Sequence, residues 1–139
     1  MVKEIHNFIE DDYRNAYLFN VVGIVGSINS SVFKDNLSNI NSNFPLKLSQ
    51  LCRKSKSKLI HISSNSIFDN CSNRFRDKNQ IPNSNTNYGI SKLKAEENIV
   101  NNLDLKRYLI LRTPQHYSNN LNNKRNLLSG IYHKLKVNK

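Results

Sequence analysis

No Trp and only two Cys occur in this 139-residue chain, acidic residues number 10 against 21 Lys and Arg, and no apolar run approaches membrane-spanning length. Cys52 and Cys71 stand apart, outside C-x-x-C spacing and away from any His cluster. That indicates neither a cysteine-based metal site nor a disulfide framework, and leaves a reduced, intracellular protein as the default. A bilayer span needs about 20 consecutive apolar residues; the amino terminus instead carries Glu4, Glu10, Asp11 and Asp12. A soluble, unsecreted, cytoplasmic protein is expected. Also missing is any G-x-G-x-x-G, the turn that cradles a dinucleotide pyrophosphate. Gly23-Ile-Val-Gly26 is the nearest approach, and it lacks the third glycine.

What the chain does have is Asn, 24 of them, and a formal charge of +11 with 37% apolar residues. Globular domains usually reach about 45–50% apolar when Gly is counted, so the core should be thin. The length is that of one domain. A basic surface is the electrostatic footprint of phosphate binding, and Arg53, Lys54, Lys56 and Lys58 form one run while Lys134, Lys136 and Lys139 form another. Neither run is interleaved with aromatics or accompanied by a helix-turn-helix, zinc-finger or RNA-binding signature. The charge therefore reads as a solvated face rather than a nucleic-acid interface.

Hydrophobic periodicity gives the organisation. Ile5, Phe8, Ile9 and Tyr13 recur at helical spacing and predict a short amphipathic helix over 3–14. Tyr17 to Val22 is a continuous apolar, β-branched run, the pattern of a strand covered on both faces of a parallel sheet. Ile40, Phe44, Leu48 and Leu51 place a helix over 40–52. A second strand follows over 58–63, then a long polar loop over 69–87. A helix over 88–100 points Leu93 and Ile99 at the sheet and Lys94, Glu96 and Glu97 at water. A third strand covers 108–111 and a last helix 127–135. Alternating strand and helix predict an α/β fold with a parallel sheet of about three strands, flanking helices and right-handed crossovers. So narrow a sheet leaves backbone groups exposed at one edge, where a protein partner could pair.

One constellation carries chemistry. Ser64 ends the second strand, and Tyr88-Gly-Ile-Ser-Lys92 lies 24 residues later. If Tyr88 opens a helix, the i, i+4 spacing puts its ring and the Lys92 amine on one face, near the carboxyl end of the strand where open α/β sheets bind ligands. A hydride arriving at a ketone leaves charge on oxygen. A tyrosine beside an ammonium can protonate that oxygen, and a serine hydroxyl can hold it in place.

The residues around this trio are more specific than the trio itself. His61-Ile-Ser-Ser-Asn-Ser-Ile-Phe-Asp69, then Phe75, Asp77 and Pro82, then Asn87-Tyr-Gly-Ile-Ser-Lys-Leu-Lys-Ala-Glu96, then Leu109-Ile-Leu-Arg-Thr113, resembles the extended short-chain dehydrogenase/reductase superfamily. Within it the likeness is to dTDP-4-dehydrorhamnose reductases and related sugar-nucleotide reductases. Upstream, Phe19-Asn-Val-Val-Gly-Ile-Val25 looks like that family's fourth Rossmann strand, and Asn41 with Pro45, Leu48 and Cys52 is similar to the helix after it.

The resemblance implies an NAD(P)H-dependent oxidoreductase, with NADPH or NADH as hydride donor and a sugar nucleotide bearing a 4-keto group as substrate. Tyr88 would donate a proton to the C4 oxygen, Lys92 would support Tyr88 and hydrogen-bond the nicotinamide ribose, and Ser64 would orient the ketone. Val22, Gly23 and Val25 would line the cofactor, with Thr113 to Gln115 beside the nicotinamide. Gly23 reads at least as well as a strand-to-loop turn, Arg112 reads as a structural or helix-capping charge rather than a ligand, and Asn41 reads alternatively as a group that satisfies backbone.

The departures from that family are large. Its first βαβαβ portion, with the glycine-rich turn, and its carboxyl-terminal substrate domain have no counterpart in residues 1–139, and Asn70 stands where the family has glycine. Residues 1–139 therefore read as one partial, Rossmann-like NAD(P)-binding domain, the carboxyl-terminal half of a cofactor domain. Such a chain is expected to be inactive alone. The alternative expectation is a non-catalytic interaction module, pairing with a chain that supplies the missing half.

Overall fold

The computed structural model describes residues 16–25, 31–68 and 80–114. The helices expected over 3–14 and 127–135, Cys71, Asn70, Gln115 and the first part of the 69–87 loop lie outside the described residues. Strand β1 is Tyr17–Asn20, helix α1 is Ser31–Ser38, a π-helical turn spans Asn39–Asn43, and helix α2 is Phe44–Ser55. Strand β2 is Lys58–Ser64, helix α3 is Asn87–Asn102, and strand β3 is Tyr108–Thr113. The three strands form one sheet in the order β1-β2-β3, every pair parallel. The expected α/β architecture, a partial Rossmann-like sheet with flanking helices, is what forms.

The helix expected over 40–52 is the later part of a longer helical stretch that begins at Ser31. Pro45 explains its irregularity. A proline inside a helix donates no N–H and its ring crowds the carbonyl four residues back, here that of Asn41. The chain widens just there, with Phe44 N–H bonding to Asn39 O in the π manner. α2 ends where Lys56 adopts a left-handed φ of 58°, and Arg107 donates to the carbonyls of Cys52 and Ser57, closing that end.

Among the described residues, the helices that pack on the sheet cover one of its faces. Leu48 and Cys52 of α2 and Ile99 of α3 pack with Leu59 and Leu103 as the core, joined by Leu18, Tyr108 and Ile110 from the strands. Each such Leu or Ile stabilises the fold by roughly 1.5–3 kcal/mol through burial. The Cys52 thiol is fully buried there, and burial, opposed by the Arg107 charge, pushes it up to about 11. It is therefore a packing group rather than a reactive thiolate.

On the opposite face the strand side chains are exposed and no described helix packs there, which corrects the reading of β1 as covered on both sides. Tyr17 is 60% exposed, Phe19 63%, Leu109 50% and Leu111 40%. Pairing sets Ile60 between Phe19 and Leu109, and Ile62 beside Leu111, so these side chains form one apolar surface. Continuous apolar sequence could not reveal it, because both β1 and β3 are edge strands of the described sheet. β1 also stops two residues early: Asn20 Oδ1 accepts the Val22 N–H at 3.2 Å and turns the chain out of the ladder. No helix among the described residues is long and apolar enough to cross a membrane.

Candidate functional site

Parallel pairing brings the carboxyl ends of all three strands to one edge. Ser64, the last residue of β2, lies in register with Thr113, the last of β3, whose hydroxyl donates to Ser63 O at 3.2 Å. Ser64 is extended and caps a short 3-10 turn over Asn65–Ile67. Its Oγ accepts from Ser66 N–H and donates to Ser66 Oγ, both at 3.1 Å. That fixes the serine hydroxyl at the mouth of the strand.

α3 starts where the sequence offers a capping residue. Thr86 Oγ1 accepts the Gly89 N–H at 3.0 Å, satisfying one of the unpaired donors of a helix start. Gly89 is required by space: a Cβ there would lie under 3.0 Å from Ser84 Oγ and from the Ser66 carbonyl oxygen. The missing methyl lets the first turn of α3 press against the turn that follows Ser64. Gly23 has no such need, since its Cβ would meet Asn41 Oδ1 at an ordinary 3.5 Å.

Tyr88, half-buried, and Lys92, 4% exposed, occupy successive turns of α3. Lys92 Nζ donates to Ile62 O at 2.7 Å and lies 3.4 Å from His61 Nε2. The amine is thus pinned to β2 two residues before Ser64. Burial lowers Lys92 to about 8, with the Glu96 carboxylate opposing the shift, and burial followed by the Lys92 charge lowers His61 to about 3. His61 is a neutral imidazole at physiological pH.

Val22, Gly23 and Val25 follow β1 at the same carboxyl edge, with Val22 and Val25 exposed. Their segment is clasped by Asn41, whose amide accepts from Ile24 N–H and donates to Ile24 O, both at 2.9 Å, and also reaches Ser91 Oγ at 3.1 Å. Asn41 therefore satisfies backbone, one of the two roles open to it in the sequence. Arg112 takes its structural role: it grips Glu96 with Nε and Nη2, at 2.8 Å for the closest pair, and lies over the Phe68 ring.

Glu96 corrects the expectation that it faces water. It is buried, accepts from the Ser63 hydroxyl as well as from Arg112, and ties α3 to both β2 and β3. The sequence reading also missed Asn20 and His61 as site residues. Their signal lay in strand alternation, since His61 falls on the same face as buried Leu59 and Ser63. That His61 neighbours Asn20 is a matter of register, which only pairing decides.

With that geometry in hand, comparison with known proteins is direct. Residues 30–139 match the family model described as the RmlD substrate binding domain. A dTDP-4-dehydrorhamnose reductase structure from Clostridium acetobutylicum ATCC 824 superposes with a TM-score of 0.81 at 20% identity, covering 99% of this chain and 46% of that one. The corresponding reductase from Yersinia enterocolitica gives 0.80 at 16% identity, covering 98% and 47%. That of Bacillus anthracis str. Ames, solved in complex with NADP, gives 0.73 at 18% identity, covering 87% and 43%. No curated protein matches. This chain spans less than half the length of those structures, and at such identities the likeness speaks for the fold. The family model covers most of the chain: this protein belongs to the RmlD substrate binding domain family.

Proposed function

We propose that this chain carries the ketone-reducing wall of an NAD(P)H-dependent sugar-nucleotide 4-ketoreductase. One observation carries the reading: Lys92 is fixed to the Ile62 carbonyl, one helical turn from Tyr88 and two residues from Ser64, at the carboxyl edge of a parallel sheet. NADPH or NADH, when bound, supplies the hydride. Tyr88 gives its phenolic proton to the oxygen at C4 of the sugar, and Lys92 as an ammonium steadies the phenolate left behind. Ser64 holds the carbonyl oxygen, a donor preorganised where negative charge develops.

The residues fit one end of a dinucleotide better than the other. Exposed Val22 and Val25 with slender Gly23, across the edge from Thr113, suit a flat ring and its ribose. The sequence holds no glycine-rich turn for the pyrophosphate, and phosphate held at a helix amino terminus supplies much of dinucleotide affinity. The 139-residue polypeptide by itself should therefore bind NADH and NADPH only at concentrations on the order of millimolar. An NMR titration checks both parts. Shift changes should gather at Val22–Val25, Ser64, Tyr88, Lys92 and Thr113; a micromolar dissociation constant would refute the weak binding, and changes elsewhere would refute the site.

The exposed apolar side chains of the sheet favour a second reading, an interaction module whose partner covers Tyr17, Phe19, Leu109 and Leu111. Exposed apolar patches of this kind mark association surfaces. Sedimentation should show association that rises with concentration and is lost in Phe19→Asp. A monomer at on the order of 100 μM would speak against self-association.

A further inference from the structure

Three groups lead inward from the loop after β1 to the buried amine. Asn20 Oδ1 accepts the Val22 N–H, so its amide nitrogen is the group turned toward His61 Nδ1, at 2.9 Å. Reversing that amide would set NH2 against N–H at Val22, donor against donor. An amide nitrogen only donates, so Nδ1 must accept and carries no proton. A neutral imidazole then has its one proton on Nε2, and Nε2 is the atom 3.4 Å from Lys92 Nζ.

We propose that Asn20 and His61 are positioning residues for Lys92: Asn20, oriented by the Val22 N–H, fixes His61 as the Nε2–H tautomer, and that N–H turned toward Nζ favours the uncharged amine. An ammonium has only donors and gains nothing from Nε2–H. An amine has a lone pair, accepts from Nε2–H, and still donates to Ile62 O. The tautomer therefore acts on Lys92 in the same direction as burial, which already lowers it.

Few other titratable groups surround Lys92. On its own helix Tyr88 lies one turn back and Glu96 one turn on, and Glu96 is already engaged by Arg112 of β3 and by the Ser63 hydroxyl. β1 contributes only Asn20, and the π turn presents Asn41 and Ser42, neither of which titrates. The consequence lies at the cofactor edge. The peptide N–H that orients Asn20 belongs to Val22, so a ligand that shifts the segment after β1 would loosen Asn20, release the tautomer and let Lys92 hold its proton more firmly. The catalytic meaning of that coupling rests on the proposed role of Lys92 beside Tyr88; the tautomer does not.

NMR of the full chain tests the tautomer without reference to activity. In histidine-15N, lysine-ε-13C labelled protein, His61 should show a bare Nδ1 and a protonated Nε2 from pH 6 to 9, and Lys92 should titrate well below the other lysines. A protonated Nδ1, or an imidazolium at pH 6, would overturn the proposal. Asn20→Asp offers Nδ1 an acceptor on both oxygens; the ring proton should move to Nδ1, and the Lys92 midpoint should rise by a unit or more, a roughly tenfold tighter hold on the proton. An Asn20→Asp protein that folds with an unmoved tautomer would equally overturn it. Where that variant fails to fold, the wild-type ring nitrogens decide. If the tautomer is found but cofactor titration leaves Val22 and Lys92 undisturbed, the proposed reductase reading fails and the positioning role of Asn20 and His61 stands.

Discussion

Lowering the pH from 7 to about 4.5 should cost the folded chain about 2.5 kcal/mol through His61 alone. The ring is fully buried, and burial together with the Lys92 charge holds it down at about 3 when folded, against an ordinary 6.5. Between those values the unfolded chain binds a proton that the folded chain refuses. Stability therefore rises with pH across that window and is lost as pH falls through 6.5 toward 3. Lys92 acts with the same sign higher up: its folded value of about 8 lies below an ordinary 10.5, so the cost of burying its charge is full below 8 and is relieved as pH climbs toward 10.5. Urea melts at pH 7 and 4.5 on wild type and His61→Gln give the His61 contribution as a difference between two slopes. His61→Gln should lose about 2.5 kcal/mol less on acidification. Equal losses in the two proteins would mean that the imidazole accepts a proton in place.

Glu96→Ala should cost about 2–4 kcal/mol, because removing one partner of a buried pair leaves the other without its counter-charge. The upper part of the usual range does not apply, since the Arg112 side chain is 37% exposed and water can solvate what the carboxylate releases. Three elements loosen at once. Arg112 loses its bidentate grip, the Ser63 hydroxyl loses its acceptor, and α3 is no longer tied to β2 and β3 beneath Tyr88 and Lys92. Glu96→Gln keeps the shape and an acceptor oxygen, so it should recover more than half of the loss. Chemical denaturation of the two variants settles the point. A loss below about 1 kcal/mol for the alanine variant would class the pair with ordinary surface ion pairs.

These two residues show how far sequence reading reaches. His61 is legible as the second residue of a buried alternation, Leu59, His61, Ser63, because period two places those three on one face. Glu96 was assigned to water because three charged residues in four, Lys94, Glu96 and Glu97, resemble a solvated helix face. Lys94 and Glu97 do sit there, paired with each other at 3.1 Å. Glu96 turns inward because an arginine from a strand 16 residues on meets it, and nothing local in the sequence announces that meeting.

The helix start lies further upstream than Ile40. Apolar spacing from Ile40 to Leu51 marks only the later part of the helical stretch, and Phe33 and Leu37 continue that spacing toward its start, with Leu37 buried. Pro45 marked the irregular turn in plain view. Its effect on Asn41, which the widened turn leaves buried and free to clasp Ile24, depends on where the chain after β1 happens to pass.

The sequence by itself determined the alternation of strand and helix, the parallel sheet, and the family to which Ser64, Tyr88 and Lys92 give access, because periodicity, capping residues and motif spacing are local properties. Tertiary structure alone decided which sheet face the described helices cover, that Glu96 is buried, and that Lys92 rests on a strand carbonyl beside a neutral histidine. The reason is that charge state and exposure depend on neighbours brought from 16 to 50 positions away. Strand register and helix packing, rather than any short stretch of sequence, choose those neighbours.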